Sequence, residues 1–176
     1  MSVADDTVSL VDAQPPDRYR FDYRGMHRYV VTLPVHNGKT LFAEKARVVS
    51  VLNALRDAAF KHRFDVYAYC FLPDKLELII RGKDEQSMMK EFLLDFRAQS
   101  NATVESELAH PLWKKKYLER VLRKTEDSRR IAEAIFEMPA KAGLVSKAVD
   151  YPFQGSFVII PSEKKKYHKP AIPRRR

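Results

Sequence analysis

Two short apolar runs that meet at a proline constrain this chain most. Val66 to Leu72 is almost continuously apolar, Pro73-Asp74 interrupts it, and Leu76 to Ile80 resumes it until Arg81-Gly82. Runs of this length bounded by Pro, Asp and Gly read as strands, and Pro-Asp between two of them reads as a turn. A β-hairpin with Pro73-Asp74 at its bend is therefore predicted. Its second strand is dense in Leu and Ile and must be buried on at least one face.

The flanking segments supply partners for that hairpin. His27 to Leu33 is β-branched and aromatic, which predicts a strand stopped by Pro34, with Asn37-Gly38 marking the next turn. From Ala43 to Phe64, the residues Ala46, Val49, Leu52, Leu55, Ala59 and Phe60 fall at helical steps. Asp84 to Leu108 is predicted helical, with Met88, Met89, Phe92, Leu93 and Phe96 as its apolar stripe. Tyr117 to Leu122 reads as a short strand. Thr125 reads as the N-cap of a last helix that runs to about Met138 and is ended by Pro139. The order strand, helix, strand, strand, helix, strand, helix predicts an α+β fold. It is the ferredoxin-like β-α-β-β-α-β arrangement, an antiparallel sheet with helices packed on one face.

Charge divides the chain into three parts. Of a net +9, Pro161 to Arg176 holds a net +6, from Lys164, Lys165, Lys166, Lys169, Arg174, Arg175 and Arg176 against Glu163. Residues 1–25 carry a net −2, and the body between them a net +5. The expected organisation is a flexible lead-in over 1–22, one folded domain over 23–160 and a basic tail over 161–176. A basic surplus favours polyanions. The single cysteine, Cys70, lies in an apolar run, so an internal disulfide and a cysteine-based zinc site are both excluded. No run approaches the ~20 apolar residues of a membrane span, and residues 1–6 lack a signal pattern. The expectation is a cytoplasmic protein with no membrane partner.

Five blocks of this sequence resemble, in order, the REP-associated branch of the HUH-type tyrosine transposases. Gly25-Met26-His27-Arg28-Tyr29-Val30-Val31-Thr32, followed by Leu41-Phe42, is similar to the family's opening Tyr-His-Val-Thr-x-Arg and Leu-Phe. Ala68-Tyr69-Cys70-Phe71-Leu72-Pro73-Asp74-Lys75-Leu76-Glu77-Leu78 resembles Ala-Tyr-x-x-Met-Pro-Asp-His-x-His-Leu. Trp113, Tyr117, Arg120 and Arg123 fall as in the family's Trp-x-x-x-Tyr-x-x-Arg-x-Ile-Arg. Ile135 to Val145, with Pro139 and Ala142-Gly143-Leu144-Val145, resembles Ile-x-x-Asn-Pro-Val-x-Ala-Gly-Leu-Val. Asp150-Tyr151-Pro152-Phe153 resembles the closing Asp-Tyr-Pro-Trp. The resemblance covers about Gly25 to Phe153 and implies the same ferredoxin-like fold.

It also implies a chemistry, DNA transposition, that these residues do not support. The family's two histidines, one residue apart on a strand, share a face and bind a divalent metal, Mg²⁺ or Mn²⁺, that polarises the scissile phosphate. A helix tyrosine attacks that phosphate. The matching positions hold Lys75 and Glu77, and a protonated lysine is a poor ligand. The position matching the tyrosine is Phe96, five before Asn101, and phenylalanine has no hydroxyl. Lys75, Glu77 and Phe96 are thus read as vestigial, with no catalytic residue intact and no metal or other cofactor expected. Lys75 and Glu77 are expected to pair with each other. His27, His36, His62, His110 and His168 are scattered, and only His27 and His36, flanking the first strand, could approach one another.

The resemblance implies a DNA partner, hairpin or single-stranded, with RNA also compatible. Three basic clusters are candidates. Arg18, Arg20, Arg24 and Arg28 alternate with Tyr19, Phe21, Tyr23 and Tyr29, a pattern suited to phosphate contacts beside base stacking, or equally to a packed N-terminal arm. Lys114, Lys115 and Lys116 beside Trp113, followed by Arg120 and Arg123, form the second, in which Trp113 is expected in the core or at an interface and not as a stacking platform. The tail, with Lys164, Lys165, Lys166, Arg174, Arg175 and Arg176, is the third, and solubility is its plainer use. Lys75 completes the set of expected contacts. Two other readings are an active nuclease with a rebuilt metal site and a protein-interaction module on the old DNA face. The REP-associated branch is typically monomeric, which makes a monomer the expectation.

Overall fold

The computed structural model describes residues 21–160. The lead-in up to residue 20 and the whole basic tail lie outside the described residues, with Arg18, Arg20, Lys164, Lys165, Lys166, His168, Lys169, Arg174, Arg175 and Arg176.

Among the described residues, five strands form one sheet. They are β1 (Arg28–Pro34), β2 (Phe64–Leu72), β3 (Lys75–Gly82), β4 (Leu118–Val121) and β5 (Gln154–Gly155). The spatial order is β4-β1-β3-β2-β5 and every neighbouring pair is antiparallel. The hairpin of β2 and β3 turns at Pro73-Asp74. β1 sits outside β3, so the connection from β1 to β2 must cross the sheet, and α1 (Lys45–Lys61) makes that crossing. α2 (Met89–Val104) carries the chain from β3 to β4. These elements give the split β-α-β pattern of the α+β ferredoxin-like fold.

Strand alternation builds two cores rather than one. Tyr29, Val31 and Leu33 on β1 and Leu76, Leu78 and Ile80 on β3 face α1 and α2. Phe42, Phe92, Phe96 and Trp113 fill that core, each fully buried phenylalanine contributing about 2–3 kcal/mol. The intervening residues, Ile79 on β3 and Ala68, Cys70 and Leu72 on β2, face the other way and pack with Ala132, Ile135 and Tyr151. Those last residues belong to α3 (Ser128–Phe136) and the segment after it.

The two helices of the β-α-β-β-α-β unit, α1 and α2, pack on one face as expected, and α3, which follows the unit, covers the opposite face. The reason is composition. β3 is buried at six of its eight positions, on both faces, so both faces of the central strands need cover. α3 lies over β2 and β3, whereas the β4 strip of its face stays open and Leu118 is 70% exposed.

Three local expectations change, and one irregularity is new. In α1 the buried residues are Val48, Val51, Ala54, Leu55, Ala58 and Ala59, whereas Val49 and Phe60 are 46% and 84% exposed. The apolar stripe is rotated from the predicted one because Val48-Val49 and Ala58-Ala59-Phe60 offer apolar choices on both sides. The N-cap of α3 is Asp127, which accepts from the Arg129 amide at 2.9 Å, and not Thr125. α3 ends at Phe136, and Pro139 lies inside a separate turn of helix, α4 (Met138–Lys141). In β2, Val66 pairs with Ile80 and Ala68 with Ile79, so Tyr67 is a bulge that sends two adjacent residues to the α3 side.

Gly82 closes the β1 end of the sheet. A Cβ there would lie 2.1 Å from the Gly25 carbonyl oxygen, so only glycine lets the N-terminal arm cross so near. No helix of the described residues is long and apolar enough to cross a membrane.

Candidate nucleic-acid interface

Lys75 and Glu77 occupy the first and third residues of β3, so alternation places both on the α3 face. The Lys75 ammonium lies 3.3 Å from Glu77 Oε1, and the Thr32 hydroxyl donates to Glu77 Oε2 at 2.6 Å. Glu77 is buried at 4% exposure. A carboxylate so placed needs a compensating charge, and Lys75 provides it. Cys70 stands opposite Glu77 across β2 and β3. Burial above all, then the carboxylate beside it, pushes its thiol up to about 12 against the opposing charge of Lys75.

These residues do not suit Mg²⁺ or Mn²⁺. The one carboxylate is already neutralised by an ammonium that would repel a cation. Among the described residues no group of three or more His, Cys, Asp or Glu side chains is arranged to hold a metal ion.

Phe96 is fully buried between α2 and the sheet, stacked with Phe92 and tilted against Trp113. It belongs to the core on the α1 and α2 face, whereas Lys75 and Glu77 face α3. The sheet stands between them. A hydroxyl at position 96 would point into an apolar core, so the geometry does not join these three positions into one vestigial centre.

The structure splits the nominated cations between the two ends of β1. At the Pro34 end, Pro34 pairs with Lys75 on one side, and its carbonyl accepts from the Lys114 amide at 2.9 Å on the other. Val35 bridges to Trp113. Trp113 is core, as expected, and its indole N–H donates to Ser100 Oγ at 2.8 Å. Leu112 and Trp113 are thus buried, and Lys114, Lys115 and Lys116 emerge directly after them, all exposed. Arg97 reinforces the emergence by donating to the Lys114 carbonyl at 2.6 Å. The result is a basic loop pinned beside the open β4 strip and one strand from Lys75.

At the other end most of the arginines are occupied. Arg28 donates to the Glu126 and Arg123 carbonyls at 2.9 and 2.8 Å and to Ser128 Oγ at 2.7 Å. It ties β1 to the turn between β4 and α3. Arg24 donates to the Glu85 carbonyl at 2.9 Å. Arg120 pairs with Glu126 at 2.6 Å. Arg123 is exposed, with Glu126 close enough to feel its charge. A seven-residue β1 keeps the two ends roughly 20 Å apart.

The aromatic residues of the N-terminal arm follow the plainer reading. Phe21, Tyr23, His27 and Tyr29 pack edge-on or stacked against each other at centroid distances of 4.8–6.4 Å, and Tyr29 is fully buried. Lys90 caps the Tyr23 ring at 4.1 Å. His27 and His36 do not approach one another, because His36 stacks instead on His110 at 4.9 Å. The sequence reading also passed over Lys39, whose ammonium lies 2.9 Å from His110 Nε2. Its only signal was the Asn37-Gly38 turn, which folds the chain back there.

No family model matches the sequence, and no curated protein does. Solved structures do match. A REP-associated tyrosine transposase bound to a REP hairpin is 20% identical, covers 77% of this chain with 80% of its own, and superposes with a TM-score of 0.66. A Deinococcus radiodurans protein assigned as a transposase is 15% identical over 71% of this chain and 96% of its own, with a TM-score of 0.47. With its antiparallel β4-β1-β3-β2 core and flanking helices, the chain has the fold of the REP-associated tyrosine transposase.

Proposed function

We propose that this chain is a nucleic-acid-binding protein on a transposase fold, which holds hairpin or single-stranded DNA without cutting it. The observation that carries the reading is the Lys114–Lys116 loop. Three exposed ammonium groups stand on a loop fixed by backbone pairing at the end of β1, beside an uncovered strip of sheet. Phosphate contacts of this kind supply most non-specific affinity and make it fall with salt. Support for DNA as the ligand comes from the fold neighbour, a protein bound to a DNA hairpin.

The non-cleaving half of the reading rests on donor chemistry. The paired Lys75 and Glu77 leave no neutral ligand for a metal, and the nucleophile position suggested by sequence is a core phenylalanine. The test is a labelled hairpin DNA and its unstructured counterpart, each with Mg²⁺ or Mn²⁺ and with EDTA. The expected result is hairpin-selective binding that EDTA leaves unchanged, with no nicking and no covalent adduct. Metal-dependent nicking overturns the non-cleaving half, and failure to bind either DNA at moderate salt overturns the whole reading.

A further inference from the structure

We propose that Lys39, His36 and His110 form a phosphate-binding site that takes up a proton together with its ligand. The proposal deepens the nucleic-acid reading and rests on it for the identity of the ligand. The three residues come from two segments joined by backbone: the His36 amide donates to the Leu112 carbonyl at 2.8 Å. Asn37 and Gly38 both take positive φ, 55° and 64°, so the chain turns sharply and the Lys39 amide reaches the His36 carbonyl at 3.4 Å. That turn brings the Lys39 ammonium to within 2.9 Å of His110 Nε2, and the His36 ring stacks on the His110 ring at 4.9 Å.

The hydrogen bonds suit one tautomer of the neutral His110 ring. His110 Nδ1 lies 2.9 Å from the Pro111 carbonyl, which can only accept, so Nδ1 carries the hydrogen. Nε2 of a neutral ring then offers its lone pair to the Lys39 ammonium. Protonating His110 removes that lone pair and turns two donors towards each other. An anion placed between them resolves the conflict, since a phosphate oxygen accepts from Nε2–H and from Nζ together. Anion binding and proton uptake at this site therefore favour each other.

The charges around the site come close to balance. From α2 and the turn after it, Glu107 is engaged by Arg47 at 3.0 Å, and Glu105 lines a cavity of about 430 Å³ that also touches His110. From the hairpin, Asp74 is exposed beside Lys75, which is committed to Glu77. Lys114 follows Trp113, the residue bridged to Val35, and adds a cation from the binding loop. The site thus extends the Lys114–Lys116 loop by one phosphate position.

The experiment measures hairpin DNA affinity at about pH 6 and about pH 8 at constant ionic strength. One proton taken up with the ligand raises affinity by at most about tenfold per pH unit. The expected result is a several-fold gain at the lower pH in the native chain, abolished in His110→Gln and in His36→Gln and retained in the control His27→Gln. Hairpins with and without a 5′-phosphate separate the two sources of phosphate. An equal gain for both assigns the backbone diester, and a gain confined to the phosphorylated one assigns the terminus. An unchanged ratio in both His110→Gln and His36→Gln overturns the site while leaving DNA binding intact. If no DNA binds, inorganic phosphate titrated against the imidazole NMR signals decides alone. Saturable shifts at His36 and His110 that weaken in Lys39→Gln support the site, and unmoved signals overturn it.

Discussion

The two ends of β1 carry comparable sets of cations and use them differently. At the Arg28 end the charges are guanidiniums, and most are consumed by carbonyls and carboxylates of the protein itself, as in the three acceptors of Arg28 and the Glu126 partner of Arg120. At the Pro34 end the charges are mainly ammoniums on a loop held by its backbone, and Lys114, Lys115 and Lys116 project outward. Arginine's planar fork can serve several fixed acceptors at once, whereas lysine's point charge satisfies none so well. A cluster of cations in sequence is therefore two populations, one that assembles the fold and one left for a ligand.

Lys75 is the exception at its own end, and breaking it gives the largest expected effect. Lys75→Ala strands the buried Glu77 carboxylate with only Thr32 and is expected to cost about 3 kcal/mol, read as a lower Tm. The double variant Lys75→Met with Glu77→Leu recovers most of that loss. If Lys75→Ala instead weakens DNA binding with no change in stability, Lys75 belongs to the ligand and not to Glu77.

Arg28→Ala comes next, at about 2 kcal/mol, since it leaves two carbonyls and a buried Ser128 hydroxyl short of a donor. Thermal melts should register it, with little change in the salt slope of DNA binding. The reciprocal variant, Lys114→Gln with Lys115→Gln and Lys116→Gln, should leave Tm near native. It should lower DNA affinity by about tenfold at moderate salt and flatten the log–log salt slope by up to about 2–3. Equal effects of the two variants on both readouts would erase the distinction between the ends.

That distinction was not legible in the sequence, though much of the fold was. The β2–β3 hairpin announced itself because Pro73-Asp74 separates two dense apolar runs. The element order followed from similar punctuation, and with it the α+β fold. What sequence could not supply was phase and side. α1 has apolar residues on more than one face, so its buried stripe was misread until packing chose it. The Tyr67 bulge leaves no mark in composition, and β5 is too short to show a period. No pattern within α3 says which face of the sheet it will cover. For the site, Arg28 and Lys114 looked alike as charges near aromatics, and only long-range acceptors such as Glu126, 98 residues from Arg28, tell them apart.

The smallest expected effect tests how the free lysines are held. Arg97 lies on α2, with its guanidinium over the Tyr117 ring at 5.5 Å and bonded to the Lys114 carbonyl. It contacts the backbone of the loop, on the side of the sheet that carries α2, so its role is to position the loop. Removing it leaves Trp113 and the Val35 bridge in place but frees the segment after Trp113 to fluctuate. Arg97→Gln should then lower DNA affinity about two- to threefold, through loop ordering at roughly 0.5 kcal/mol. The salt slope should stay unchanged, because no phosphate contact is lost. A fall in slope by about one full contact would place Arg97 itself on the nucleic acid, and the positioning role would pass to the backbone pairing of Lys114 with Pro34.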